Sequence, residues 1–203
     1  MSGFVATGRA GRLALTARLA AARRAVELLD RKQRALAVES ERLDLAAARA
    51  ADTFEQAAHT AASWLWRSVS LDGHRGLSAS VASTDANVTV DYGVTMGVRH
   101  PTRAYLDFAP RPEPLGSSAL MYTDRAHRAA LLAAVQLAAA QRAVGLIRAE
   151  LALTRQQQRA LETRWIPKLD RRLTEVEQRI DEAELEENLR LRWAAAHRQE
   201  EQR

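Results

Sequence analysis

Apolar residues recur in alternating steps of three and four over the first third of the chain: Leu15, Leu19, Ala22, Val26, Leu29, Gln33, Leu36, Ser40, Leu43, Ala47, Ala50, Phe54, Ala57, Ala61 and Trp64. That spacing is the seam of a coiled coil. Thirteen of these 15 positions are apolar, where a 47% apolar composition would place about seven, so the register is not a by-product of composition. No Pro or Gly interrupts the stretch between Leu13 and Asp72-Gly73, and one helix of about 80 to 90 Å is predicted there, after a frayed start containing Gly3, Gly8 and Gly11. A helix that long with a single apolar stripe needs a partner to cover it.

The last third carries a second seam. Leu137, Ala140, Val144, Ile147, Leu151, Thr154, Gln158, Leu161 and Trp165 are followed by Leu169, Leu173, Val176, Ile180 and Ala183. Asp124 is the expected N-cap of this helix. Across Leu161, Trp165 and Leu169 the steps are four and four, a phase shift of one residue, and Pro167 lies inside it. Proline has no N–H and its ring clashes with the carbonyl four residues back, here that of Thr163, so an interior position costs about 3 kcal/mol. Because the pattern continues on both sides, the seam is expected to absorb a local distortion rather than end.

Between the seams the period changes to two. Val88, Val90, Tyr92, Val94, Met96 and Val98 alternate with polar residues, which predicts a strand with one buried face. Leu77, Ala79 and Val81 alternate as well, and the turn-prone Ser83 to Asn87 between the runs makes a hairpin of the two. Pro101 is expected to end the second strand, with Ala104 to Phe108 a possible third piece, and Pro110, Pro112, Pro114 and Gly116 form a stiff exposed loop. The fold class is therefore mainly α: a long antiparallel two-helix coiled coil from the N- and C-terminal segments, with a small β-hairpin module inserted between them. The divisions are 1–72, the first long helix; 73–123, the hairpin module and Pro-rich loop; and 124–203, the second long helix. Two interhelical alignments stay open, one pairing Gln33 with Gln158, the other setting Arg23 and Arg24 against Glu182 and Glu184.

Composition narrows the chemistry. The chain of 203 residues has no cysteine, which excludes disulfides, thiolate catalysis and cysteine metal sites. Its histidines, His59, His74, His100, His127 and His197, stand singly, without metal-ligand spacing, and no phosphate-binding glycine loop occurs. The run Asp181, Glu182, Glu184, Glu186 and Glu187 points over a wide arc of a helix and reads as a solvated or docking face rather than a cation site. No catalytic, cofactor-binding or metal-binding residues are expected. Thirty basic residues against 25 acidic ones leave a net charge of +5, but the two signs are interleaved, so no contiguous basic patch invites nucleic acid. No apolar run is expected to cross a bilayer. The acid-free first 24 residues, with Arg9, Arg12, Arg18, Arg23 and Arg24, superficially match a transit peptide but already belong to the first seam.

Three segments carry a family resemblance. The stretch A-L-E-T-R-W-I-P-K-L, with Ala160, Leu161, Glu162, Trp165, Ile166, Pro167 and Leu169, resembles the A-L-E-x-x-x-I-P-x-L of the D subunit of the vacuolar/archaeal-type (V/A-type) rotary ATPases, and E-E-N-L-R-L-R resembles its charged run. L-L-D-R-K-Q-R-A-L, with Leu28, Leu29, Lys32 and Leu36, is similar to the L-L-K-x-K-x-D-x-L of that family. V-T-V-D-Y-G-V-T-M-G-V-R-H-P, Val88 to Pro101, resembles its strand leading into M-G-V-x-x-P. Ala25 stands where a Gly is common and Arg34 where an Asp is usual.

The resemblance implies a non-catalytic central-stalk rotor. It would couple ATP synthesis or hydrolysis to ion passage, protons being the expected ion, at the cytoplasmic face of a membrane and without inserting into it. The implied partners are the catalytic A and B subunits, the small central-stalk F subunit, and a funnel-like membrane-side subunit of the C/d type; no cofactor is implied. Arg12, Arg18, Glu186, Arg190 and Arg192 are the implied contacts to the catalytic head. Two other readings fit the coiled coil alone: a scaffold, and a basic protein that binds nucleic acid, which would show a steep salt dependence.

Overall fold

A computed structural model describes residues 8–80, 85–108 and 117–201; the Pro-rich loop and Val81 lie outside them. The order is α1 (Gly8–Ala79), β1 (Asn87–Thr95), β2 (Val98–Asp107), α2 (Ser118–Ala160), a π-turn (Leu161–Trp165) and α3 (Ile166–Glu201). Two long helical segments flank a two-stranded antiparallel hairpin, the architecture expected from the two periodicities. By packing, the chain divides into two compact units, Met1–Lys32 with Thr154–Arg203, and Gln33–Leu153.

The α1 seam holds throughout, since none of its 15 positions from Leu15 to Trp64 is exposed. At Gly73 the backbone leaves helical geometry with φ 67°, a left-handed value that glycine adopts without a Cβ penalty. Helix then resumes to Ala79. The alternation of Leu77 and Ala79 is therefore helical, not the first strand of a hairpin. Asp124 is likewise not the cap of the second helix. The helix begins at Ser118, where the Ser117 carbonyl accepts the Met121 N–H at 3.3 Å, and the Ser117 hydroxyl donates to the Asp72 carboxylate. Asp124 lies nearly two turns further on and pairs with Arg128 at 3.0 Å.

In the unit Met1–Lys32 with Thr154–Arg203, Leu19, Ala22 and Leu169 form a buried cluster flanked by Leu15, Ile166 and Leu173. Arg9 bonds Glu184 at 2.7 Å and Arg23 approaches Asp170 to 3.5 Å. Rising numbers on α1 meet falling numbers on α3, so the pair is antiparallel. This register excludes Arg23 against Glu184, which lies two heptads beyond Asp170.

In the unit Gln33–Leu153, Leu36, Leu43, Ala143, Val144, Ile147 and Leu151 make the core, with Ala37, Ala47 and Val98 packed against it. Fully burying Leu36 and Ile147 stabilises by about 1.5–3 kcal/mol each. Buried polar groups are matched: the Ser68 and Thr123 hydroxyls bond each other, Thr123 also meets the Trp64 carbonyl at 3.0 Å, and His127 Nδ1 lies 2.8 Å from the Thr123 carbonyl. The hairpin belongs to this unit. Its strands turn at Met96 (φ 49°) and Gly97 (φ 83°), the two positive values of a type I′ turn. The run from Val88 to Val98 is thus not one strand, and Pro101 does not end it: β2 continues through Pro101 to Asp107, taking in Ala104. A bulge between Asp91 and Tyr92, opposite Arg103 and Pro101, leaves Thr102 as the surplus residue and accommodates a proline inside a ladder.

Candidate interaction site

Along α3 the seam ends abruptly. Ile180 is the last partly covered seam residue; Ala183 is exposed, as is every residue from 181 to 193. Leu185, Leu189 and Trp193 remain 65%, 63% and 67% exposed, and Trp193 stacks on His197 with ring centres 4.5 Å apart. Glu186 and Arg190 pair at 3.5 Å along the same stretch, and Arg192 is exposed too. Helix propensity alone does not hold such a stretch firmly in water, and stable helices bury an apolar face. Leu185, Leu189 and Trp193, at steps of four and bare on one face of the helix, therefore form a surface that suits a partner. Arg12 and Arg18 are exposed on α1 of the same unit, where Arg9 meets Glu184. That contact raises the affinity of the Arg9 guanidinium for its proton through a hydrogen bond and the charge of the carboxylate.

The π-turn lies in this unit as well. The Ile166 N–H reaches the Leu161 carbonyl, five residues back, which inserts one residue into the helix. Pro167 falls in the first turn of α3, a position where its missing N–H costs little. The core then steps from Leu161 by five to Ile166 and by three to Leu169. Trp165, expected in the seam, is displaced to 49% exposure, and Ile166 packs inward in its place. Of the remaining motif residues, Leu29 and Lys32 are partly buried, while Leu28, Ala160 and Glu162 are exposed. Leu36 is fully buried in the other unit.

In the unit Gln33–Leu153 two surfaces stand out. Trp64 stacks on Tyr122 with ring centres 4.6 Å apart, Arg67 lies 4.7 Å from the Trp64 ring centre, and with Trp66 and Leu71 they line an open groove of about 510 Å³. Trp64 and Trp66, two positions apart on a helix, cannot both face the seam, which is the sequence signal for the groove. The second surface is the hairpin. Val88, Tyr92, Val94 and Met96 are about half exposed or more, and Val90 and Val98 are partly buried, so the expected buried face is only partly covered. A two-stranded sheet has little to cover it beyond the helices it rests on. The residues it buries are His100, Pro101 and Ala104 of β2. His100 Nδ1 lies 3.1 Å from the Pro101 carbonyl, to which it donates, and Nε2 lies 3.1 Å from the Thr95 hydroxyl.

Among the described residues no group of three His, Asp or Glu side chains could hold a metal ion. The helical run Ser118–Ala195 does contain an 18-residue window apolar enough to cross a membrane by length and composition, contrary to expectation. Only 22% of that window is buried. A family model described as the D subunit of ATP synthase matches residues 12–196. The chain belongs to the family of ATP synthase D subunits. That match takes in both seams, the hairpin and the π-turn, and agrees with the V/A-type motifs. As a D subunit, the chain is a part of a rotary ATP synthase complex and associates with it peripherally. No relative among curated proteins matches it.

Proposed function

We propose that this D subunit is the central rotor shaft of a V/A-type ATP synthase or ATPase, itself non-catalytic, which couples ATP synthesis or hydrolysis to proton translocation by turning inside the catalytic head. The observation that carries the reading is the exposed stretch 181–193 of α3, where Leu185, Leu189 and Trp193 are bare and α1 is met through the exposed ion pair of Glu184 with Arg9. The ring of A and B subunits is the partner we assign to it. Arg12, Arg18, Glu186, Arg190 and Arg192 are the charged contacts there. The small F subunit clasps the helix pair, and the aromatic groove at Trp64 and Leu71 seats the funnel-like membrane-side subunit, which puts the chain on the cytoplasmic face.

The physical case is one of stiffness and bearing. Two zipped helices resist twist better than one, and the aromatic anchors of this chain gather in two places, the Trp64 groove and the 185–193 stretch, where partners are assigned. An asymmetric shaft makes three catalytic interfaces inequivalent in turn. Moving one charge down ~100 mV supplies about 2.3 kcal/mol, so several must be stored in the shaft for each ATP. Reconstitution with purified A, B and F subunits tests the reading. The expected result is a stoichiometric complex whose ATPase depends on this chain; a monodisperse protein that never enters such a complex would refute it.

A further inference from the structure

The second seam carries one residue more than its heptads need, and that residue sits in one place, the turn Leu161–Trp165. Its own side chains do not hold it there, although Ile166 and Leu169 just downstream pack with Leu19 and Ala22 and close off movement in that direction. None of its five side chains is buried, and Trp165 stands beside an apolar groove of about 530 Å³ walled by Leu29 and Leu161. The turn immediately upstream is equally loose, since residues 155–157 are exposed. A π-turn can travel along a helix by exchanging single hydrogen bonds, and each residue it crosses shifts by one position of the helical repeat. Pro167 opposes such travel. With the turn moved about one helical turn upstream, residues 163–167 would become regular α-helix, and the proline ring would strike the Thr163 carbonyl.

We infer that Pro167 is a pin: it confines the surplus residue to Leu161–Trp165 and so fixes the angular phase of Leu169, Leu173 and Val176 relative to the helix upstream. The local hydrogen bonds fit this role, because the Thr163 hydroxyl donates to the Arg159 carbonyl at 2.7 Å and Gln158 Nε2 donates to the Glu162 carboxylate at 2.9 Å, bracing the widened turn. A shaft that transmits angle needs such a fixed phase. That consequence rests on the rotor reading, whereas the pin is a property of the chain alone and is read on the isolated protein.

The chain has no cysteine, so spin labels can be placed cleanly. Two pairs bracket the turn, Glu27→Cys with Lys168→Cys and Arg31→Cys with Arg159→Cys, all four being exposed positions. Pulsed dipolar spectroscopy on the full chain should give one narrow distance for each pair. With Pro167→Ala added, at least one pair should split into two populations or at least double in width while helix content is kept. Unchanged distributions at both pairs would overturn the proposal. Deleting Thr163 in the Pro167→Ala background removes the surplus and the pin together, and should restore a single narrow distance at both pairs even if Pro167→Ala alone does not fold. Broad distances or loss of helix in that deletion variant would also overturn it.

Discussion

Two stretches of helix with similar leucine content behave in opposite ways. Leu36 and Ile147 are fully buried against one another's helices, whereas Leu185 and Leu189, on a helix just as regular, are about two-thirds exposed. Composition does not separate them; the presence of a facing helix does. The zipped part supplies stability to the chain, and the bare part has its apolar surface free for something else. Variants in the two places should therefore divide into those that unfold the protein and those that only disconnect it.

The largest effect is expected at the core. Ile147→Ala removes a side chain with no exposure from a cluster of six, and should cost about 2–5 kcal/mol in chemical denaturation of the isolated chain. An Ile147→Ala protein as stable as the parent would erase the distinction. Gly93→Ala comes next. A Cβ there would sit 2.7 Å from the Thr102 methyl carbon across the bulge, so the Thr102 side chain must rotate or a strand must shift, at a cost of about 1–3 kcal/mol. The check is thermal unfolding beside loss of the Thr102 hydroxyl bond to the Asp91 carbonyl, now 3.2 Å.

Leu185→Ala combined with Leu189→Ala gives the sharpest contrast. It should change the stability of the isolated chain by less than about 0.5 kcal/mol, as expected for exposed positions, while weakening its capture by the catalytic ring tenfold or more. Equal loss of both properties would mean that the stretch is structural. Smallest is the effect of acid on Glu39. Two bonds from Arg42, 2.8 and 2.6 Å, hold its carboxyl below its ordinary value, with the Arg42 charge acting in the same direction and partial burial opposing. A carboxyl depressed in the folded state contributes stability above its ordinary value and loses it as the pH falls through the lowered one. Arg42 is largely exposed, so the pair should be worth only ~0.3–0.5 kcal/mol. Glu39→Gln should show that deficit at neutral pH, and parent and variant should converge in acid.

The long-range pattern was legible in the sequence because a seam is a repeated statement: 15 positions of α1 agree, and one polar residue such as Gln33 does not disturb the sum. Single events were harder. At the π-turn a step of four to Trp165 and a step of five to Ile166 both land on an apolar residue, and only packing decides that Ile166 goes inward. Gly73 announced a break but carried no signal that helix would resume, so Leu77 and Ala79 read as a strand. The turn at Met96-Gly97 lacks the Asn or Asp that usually marks a type I′ hairpin, which hid it inside a continuous alternation. α2 starts at Ser118 rather than at Asp124, beside a Ser117 hydroxyl that bonds Asp72, 45 residues away, a partner no local pattern reveals. The bare stretch of α3 was visible as a motif and, over Asp181 to Glu187, as a solvated or docking face. That its leucines beyond Glu184 stay exposed fits the antiparallel register, in which Arg9, in the first turn of α1, already meets Glu184.

Observation of rotation is the most direct test of the account. With the A and B ring fixed to a surface and a probe attached to this chain, ATP should drive continuous rotation of the probe in one direction, and the paired Leu185→Ala and Leu189→Ala substitutions should make it slip or detach. ATP hydrolysis by a complex that holds this chain motionless relative to the ring would contradict the account.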